Sequence, residues 1–199
     1  MKSEYCIYGA SGHCKVIIEI LETLGCVVRE LYDDDADKKH LLGYKVSNHK
    51  EILLLPSISW IIGVGDNAIR KKIAENHLLN YGLAIHSGAN ISKRIEVGTG
   101  SVIMAGTTIN SSTIIGCHAI VNTNSSIDHD CTLHDFVHIS PNATLCGGVM
   151  VGEGTHIGAG ATVIPGIRIG KWAKIGAGSV IIKDVPDDAT VVGNPGKII

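Results

Sequence analysis

Three histidines, His129, His134 and His138, fall within ten positions of the stretch SSIDHDCTLHDFVHIS (125–140), and Asp130 and Asp135 follow two of them directly. Imidazole and carboxylate at this density can do several things. An imidazole with one nitrogen held by a carboxylate makes a general base. His129 and His134, with four residues between them, also have the spacing of two zinc ligands. All three side chains could equally be solvated. The residue types leave these readings open, and the backbone that carries them has to sort them.

Composition narrows the classes. The chain has 199 residues and a formal charge of −2, enough for one or two domains with a proper core and with no basic field for nucleic acid or anionic lipid. Six cysteines show no C-x-x-C pair and no secretory apolar segment precedes them, so reduced thiols in a cytoplasmic protein are expected. The most apolar run, ILLLPSISWIIG, is broken by Pro56 and is shorter than the ~20 residues a membrane span needs. Aromatics are 4% of the chain and glycines number 24, which suggests a thin, repetitive architecture.

The positioning element is a repeat. Every sixth residue from Ile85 through Ile181 is Ile, Val or Leu, seventeen positions without a break. Four residues after many of them the side chain is small, as at Ala89, Ser101, Ala119, Ala143, Ala161 and Ser179. Period six fits neither a free helix nor an alternating strand. It fits a hexapeptide β-helix of eighteen residues per triangular turn. Seventeen repeats make nearly six turns, a prism roughly 27 Å tall at ~4.8 Å per turn.

Residues 1–84 read as a different unit. YCIYGASGHCKVIIEILETLG predicts strand, glycine turn and helix; VVRELYDDD and SWIIGVG predict further strands. A second helix follows in DNAIRKKIAENHLLNYG, capped by Asp66 or Asn67. That alternation predicts a small parallel sheet, a Rossmann-like α/β domain. Its first turn, Gly9 to Gly12, could offer backbone amides to a diphosphate, although the full dinucleotide fingerprint is absent. Residues 85–185 form the prism domain, and residues 186–199 leave the register as a cap.

With the aliphatic as position one, positions one and five point inward. His129 is at position three, His134 at two, His118 at four, and His138 and His156 at six, so none has the core phase. A solvated surface is then the plain reading. Against it, His129 stacks one turn below Gly147, whose missing side chain would let a ligand approach and whose amide could serve as an oxyanion donor. His138 stacks below His156. No Lys or Arg occurs between Ile95 and Ile167, whereas Arg168, Lys171, Lys174 and Lys183 follow, a distribution that suits a polyanionic ligand. Asp130 is placed to hold His129 only if a corner relaxes strand alternation, or from another subunit.

YGASGHCK, LYDDD, VGDNAIRKK, AIHSGANIS, SSIDHDC, FVHISPNATLCGG and VVGNPGK together resemble the nucleotide-sugar N-acetyltransferases of the bacillosamine and related pathways, members of the hexapeptide acyltransferases with a left-handed parallel β-helix. Sialic acid O-acetyltransferases and perosamine N-acetyltransferases share the architecture. The resemblance implies a cytoplasmic homotrimer with active sites between subunits. It would acetylate the 4-amino group of a UDP-linked 4-amino-4,6-dideoxy sugar with acetyl-CoA, and no metal is expected. Carried over by motif, His129 is the general base and Asp130 the acid that raises its basicity. Gly147 contacts the thioester, and His138, Ala159 and Ala177 contact acetyl-CoA. Ser11, Gly12, His13, Asp33, Asp34 and Gly65 hold the sugar nucleotide. Two departures stand out: Asp130 where the family commonly has Glu, and Cys14 where Gly is usual.

Two rivals use the same prism. Gamma-class carbonic anhydrases resemble it and bind zinc through three histidines, but the third ligand is expected near position 93, which is Lys93. A non-catalytic scaffold would have no need of the His129–Asp130 pair.

Overall fold

The computed structural model describes residues 2–52 and 57–199, so residues 53–56 of the apolar run lie outside the described residues. The first unit is a five-stranded sheet. Its strands are β1 (Glu4–Tyr8), β2 (Val27–Asp33), β3 (His40–Leu41), β4 (Tyr44–Asn48) and β5 (Ser59–Ile62), in the order β3-β4-β2-β1-β5. All pairs are parallel except the short β3–β4 hairpin. Helix α1 (Gly12–Thr23) buries Ile17, Ile18 and Leu21 against the sheet. Helix α2 (Asn67–Asn76) starts at Asp66, whose carboxylate accepts from the Ile69 amide at 2.9 Å. The expected strands and helices are all present. The β3–β4 hairpin is an addition, built around Gly43 at φ +84°.

From Ala84 onward the chain forms a parallel β-helix. Wall one runs from Ala84–Ile85 to Lys174–Ile175, wall two from Asn90–Ile91 to Val180–Ile181, and wall three from Glu96–Val97 to Arg168–Ile169. Partners in neighbouring turns are eighteen residues apart, as in His138↔His156. The aliphatics of position one and the small residues of position five fill the interior, where Ile139, Leu145, Ala143 and Ala161 are fully buried. Position four turns the corners. Every sixth residue from Gly100 through Gly178 has positive φ, including Ser112, His118, Asn124, Asp130, Phe136, Asn142 and Trp172. Left-handed backbone favours Gly, Asn and Asp, which accounts for much of the glycine. The tail continues wall one with Thr190–Val192, against which Lys197–Ile198 pairs antiparallel. No helix of the described residues is long and apolar enough to cross a membrane.

Candidate active site

The positive-φ corner explains how two adjacent residues face each other. Asp130 lies at φ +59°, so strand alternation does not apply there. His129 Nδ1 and Asp130 Oδ2 are 2.7 Å apart within one chain. Asp130 accepts, so Nδ1 carries the proton and Nε2 is the free base. The Asp130 hydrogen bond, then the charge of Asp128, raise the basicity of His129 above that of an ordinary histidine. Asp128 is held in turn by Asn110 Nδ2 at 2.8 Å and accepts from the His129 amide at 2.8 Å. The ring is exposed. A Cβ at Gly147 would sit 2.7 Å from His129 Cε1 and 2.8 Å from Nε2, so the glycine is what leaves that nitrogen open.

The other histidines sit elsewhere. Segment 125–140 crosses all three walls: Ser126–Ile127 on wall two, Thr132–Leu133 on wall three and His138–Ile139 on wall one. His129 and Gly147 occupy the corner between walls two and three, and wall one is the face opposite that corner. His134 lies on wall three beside Arg168 and Lys171. Among the described residues, no group of three His, Cys, Asp or Glu side chains is placed to hold a metal ion.

Wall one corrects the expectation that off-phase histidines are solvated. The α/β unit covers this wall, so His118 and His138 are 6% and 9% exposed. His138 stacks on His156 with ring centres 4.7 Å apart, accepts from Asn122 Nδ2 at 3.2 Å through Nε2, and lies 6.4 Å from the His13 ring. The buried Nε2 of His13 meets no partner among the described residues, and the His138 ring lies against the Gly65 backbone, a contact that favours its charged form. Burial, helped by Arg70, lowers His13 and His118 to about 4. Burial, then His156, Arg70 and His13, lower His138 to about 3. Burial favours the neutral form of these rings and makes each a weaker base than His129, whose basicity is raised.

Beside them opens a cleft of about 680 Å³, lined by Gly65, Asp66, His138, His156, Trp172 and Lys174 among others. Gly65 adjoins the first turn, since a Cβ there would lie 4.0 Å from the His13 Cβ. Ser11 precedes α1 without a side-chain cap bond, leaving the first-turn amides near Gly12 without an internal acceptor. Asp33 is engaged within the turn: its carboxylate accepts from the Ala10 amide at 2.7 Å, the Asp35 amide at 2.9 Å and Lys38 at 3.0 Å. Asp34 is open and accepts from the Tyr8 hydroxyl at 2.5 Å. Cys14 is fully buried behind the turn. The structure thus brings His13, Gly65 and His138 together and leaves His129, Asp130 and Gly147 on another face. Ala159 and Ala177 stack at the corner between walls one and two.

Arg70 escaped the reading from sequence. It is 1% exposed, and its signal was spacing: Asn67, Arg70 and Ile73, three apart on α2, are the helix's buried residues.

The comparisons with known proteins identify the family. The family profile "PglD N-terminal domain" matches residues 5–77, and "Bacterial transferase hexapeptide (six repeats)" matches residues 148–183. A perosamine N-acetyltransferase from Caulobacter crescentus, solved with a histidine replaced and in complex with CoA and GDP-perosamine, is 38% identical, covers 98% of this chain and 96% of its own, and superposes with a TM-score of 0.92. This chain belongs to the hexapeptide-repeat sugar N-acetyltransferases. It is an acetyl-CoA-dependent acetyltransferase of that family. The acetyltransferase domain of PglB from Neisseria gonorrhoeae, also solved with acetyl coenzyme A, is 36% identical over the whole of both chains with a TM-score of 0.93. WeeI from Acinetobacter baumannii is 25% identical over 98% of this chain, with a TM-score of 0.79. A search of the curated proteins finds no match.

Proposed function

We propose that the chain acetylates the 4-amino group of a UDP-linked 4-amino-4,6-dideoxy sugar by direct transfer from acetyl-CoA, with His129 as general base. The observation that carries this reading is the His129–Asp130 bond of 2.7 Å beneath the open face of Gly147. His129 Nε2 takes a proton from the sugar ammonium or the attacking amine. The nitrogen lone pair forms the N–C bond at the thioester carbonyl. The Gly147 amide, which meets no acceptor among the described residues, donates to the oxyanion. Collapse breaks the C–S bond and releases CoA. No acyl-enzyme is required. Cys131, the nearest thiol in sequence, is buried and donates to the Cys146 carbonyl.

The same reading needs a second copy of the chain. The nucleotide-sugar residues Ser11, Gly12, His13, Asp34 and Gly65 adjoin wall one, while the base stands at the opposite corner. A ring of three copies would set the corner of one chain against the cleft of the next, and the cofactor contacts His138, Ala159 and Ala177 would line the seam. Exposed Ile114 and Met150 on wall three are suited to bury in such a contact.

A GDP-linked acceptor is the second reading, favoured by the 38% identical relative solved with GDP-perosamine. The test is a panel of UDP- and GDP-linked 4-amino sugars and free sialic acid, each with acetyl-CoA, read by mass spectrometry. Acetylation of a UDP-linked amine supports the first reading. Acetylation confined to GDP-perosamine moves the assignment to the second, and O-acetylation of sialic acid overturns both.

A further inference from the structure

Arg70 is a buried cation that forms no ion pair among the described residues, and Asp66 is the acidic group whose charge reaches it. Arg70 is instead saturated by neutral acceptors. Nε donates to the His118 carbonyl at 2.8 Å, and Nη1 donates to the Val64 and Gly65 carbonyls at 3.2 and 3.1 Å. Nη2 donates to Asn67 Oδ1 at 2.8 Å and to the Phe136 carbonyl at 2.9 Å. A guanidinium has five N–H groups, and all five are used. Asn67 then donates through Nδ2 to the Gly154 carbonyl at 2.9 Å. His118, Phe136 and Gly154 are the same corner, between walls three and one, on three successive turns, each at positive φ. Two side chains three apart on α2 therefore engage three consecutive rungs of the prism.

The clasp joins a ladder-bonded wall to a loop. Phe136 and His138 are held by ladder bonds to the turns on either side, such as Phe136 N to the Cys117 carbonyl and His138 N to the Thr155 carbonyl. The loop that carries Gly65 has the Gly63 amide tied to the Tyr8 carbonyl at 2.6 Å on one flank and Asp66 capping α2 on the other. Between them, Val64 and Gly65 offer their carbonyls to Arg70. Lysine keeps the charge at this site, but its three donors on one nitrogen cannot reproduce the five bonds of the planar guanidinium.

We propose that the Asn67–Arg70 clasp is a positioning device for the acceptor: through the Val64 and Gly65 carbonyls it fixes the Gly65 loop, the part of the cleft assigned to the nucleotide sugar, against the prism. This rests on the functional reading above for the identity of that ligand. Arg70 touches no substrate and acts through Gly65. Its loss frees the loop and leaves the prism intact, so it separates the two substrates.

The experiment compares wild-type protein with Arg70→Lys and the milder Asn67→Ala, by two-substrate kinetics and by amide hydrogen exchange. For Arg70→Lys the expected result is an acceptor KM raised about tenfold or more, an acetyl-CoA KM within about twofold of wild type, and faster exchange confined to residues 63–67. Asn67→Ala should show the same pattern, smaller. A fall in kcat with both KM values unchanged would mean only a smaller folded fraction and would overturn the proposal, as would unchanged kinetics in both variants. Wild-type protein that turns over no nucleotide amino sugar would defeat the functional reading. Localised exchange at 63–67 would in that case still support the clasp, and unchanged exchange there would reject it.

Discussion

Replacing Gly147 with alanine puts one methyl group against His129, the proposed base. The new Cβ would lie 2.7 Å from His129 Cε1 and 2.8 Å from Nε2. Carbon atoms in ordinary contact sit about 3.5–4.0 Å apart, so the ring must retreat by roughly 1 Å. The His129–Asp130 bond, now 2.7 Å, cannot survive a displacement of that size in its present geometry. The fold has little to lose, because the His129 side chain is 60% exposed and rotates into solvent. The variant should therefore melt like wild type while turnover falls about 100-fold, the usual cost of a 1 Å misplacement at a reacting group. Release of free CoA, followed with a thiol reagent beside a thermal melt, reads both quantities. Wild-type turnover in Gly147→Ala would refute the reasoning, and so would an activity loss matched by a lowered melting temperature.

Other expectations follow from the same geometry. Asp130→Asn removes the main cause of the raised basicity of His129; a base acts unprotonated, so the acid limb of the kcat/KM profile should move to lower pH and the plateau should drop. His138 and His13, lowered to about 3 and about 4, should show no titration by NMR between pH 5 and 8. Because their folded values lie below those of the unfolded chain, the stability they confer is complete above about pH 6.5 and is lost as pH falls through 4 to 3. Ile139→Ala empties a fully buried position of the prism and should cost about 2–5 kcal/mol in denaturant unfolding. If sites form between copies, refolding an equal mixture of inactive His129→Ala and His138→Ala chains should restore about a quarter of wild-type activity, since one ring interface in four would then be intact. No recovery from mixed rings would place both residues in a single-chain site.

Much of this was legible in the sequence because the prism has a rigid register. A six-residue aliphatic period predicts direction at every position, and Cys131, Ala143 and Ile139 are buried as their positions demand. The stacking of His129 under Gly147 is the same arithmetic. What the register does not contain is the other unit. His118 and His138 stack on Phe136 and His156 of the prism and are closed over by Tyr81 and His13 of the segment before it, so their positions in the repeat alone predicted solvent. Arg70 was hidden for a related reason: an arginine on an amphipathic helix normally faces water, and only its three-residue spacing from Asn67 and Ile73 marks the docked face. The β3–β4 hairpin was missed because β3 has only two residues and the five of β4, YKVSN, are too short and polar to mark a strand. Asp130 at position four was left open between one chain and two; the left-handed corner settles that contact within one chain.

The most direct test of His129 as the base is a single-turnover comparison of wild type and His129→Ala, with acetyl-CoA and the acceptor chosen by the panel. General-base loss predicts a rate lowered by about two to four orders of magnitude, with acetyl-CoA affinity within a few-fold of wild type and partial recovery as pH rises and the amine deprotonates unaided. A wild-type rate in His129→Ala at neutral pH would contradict the assignment.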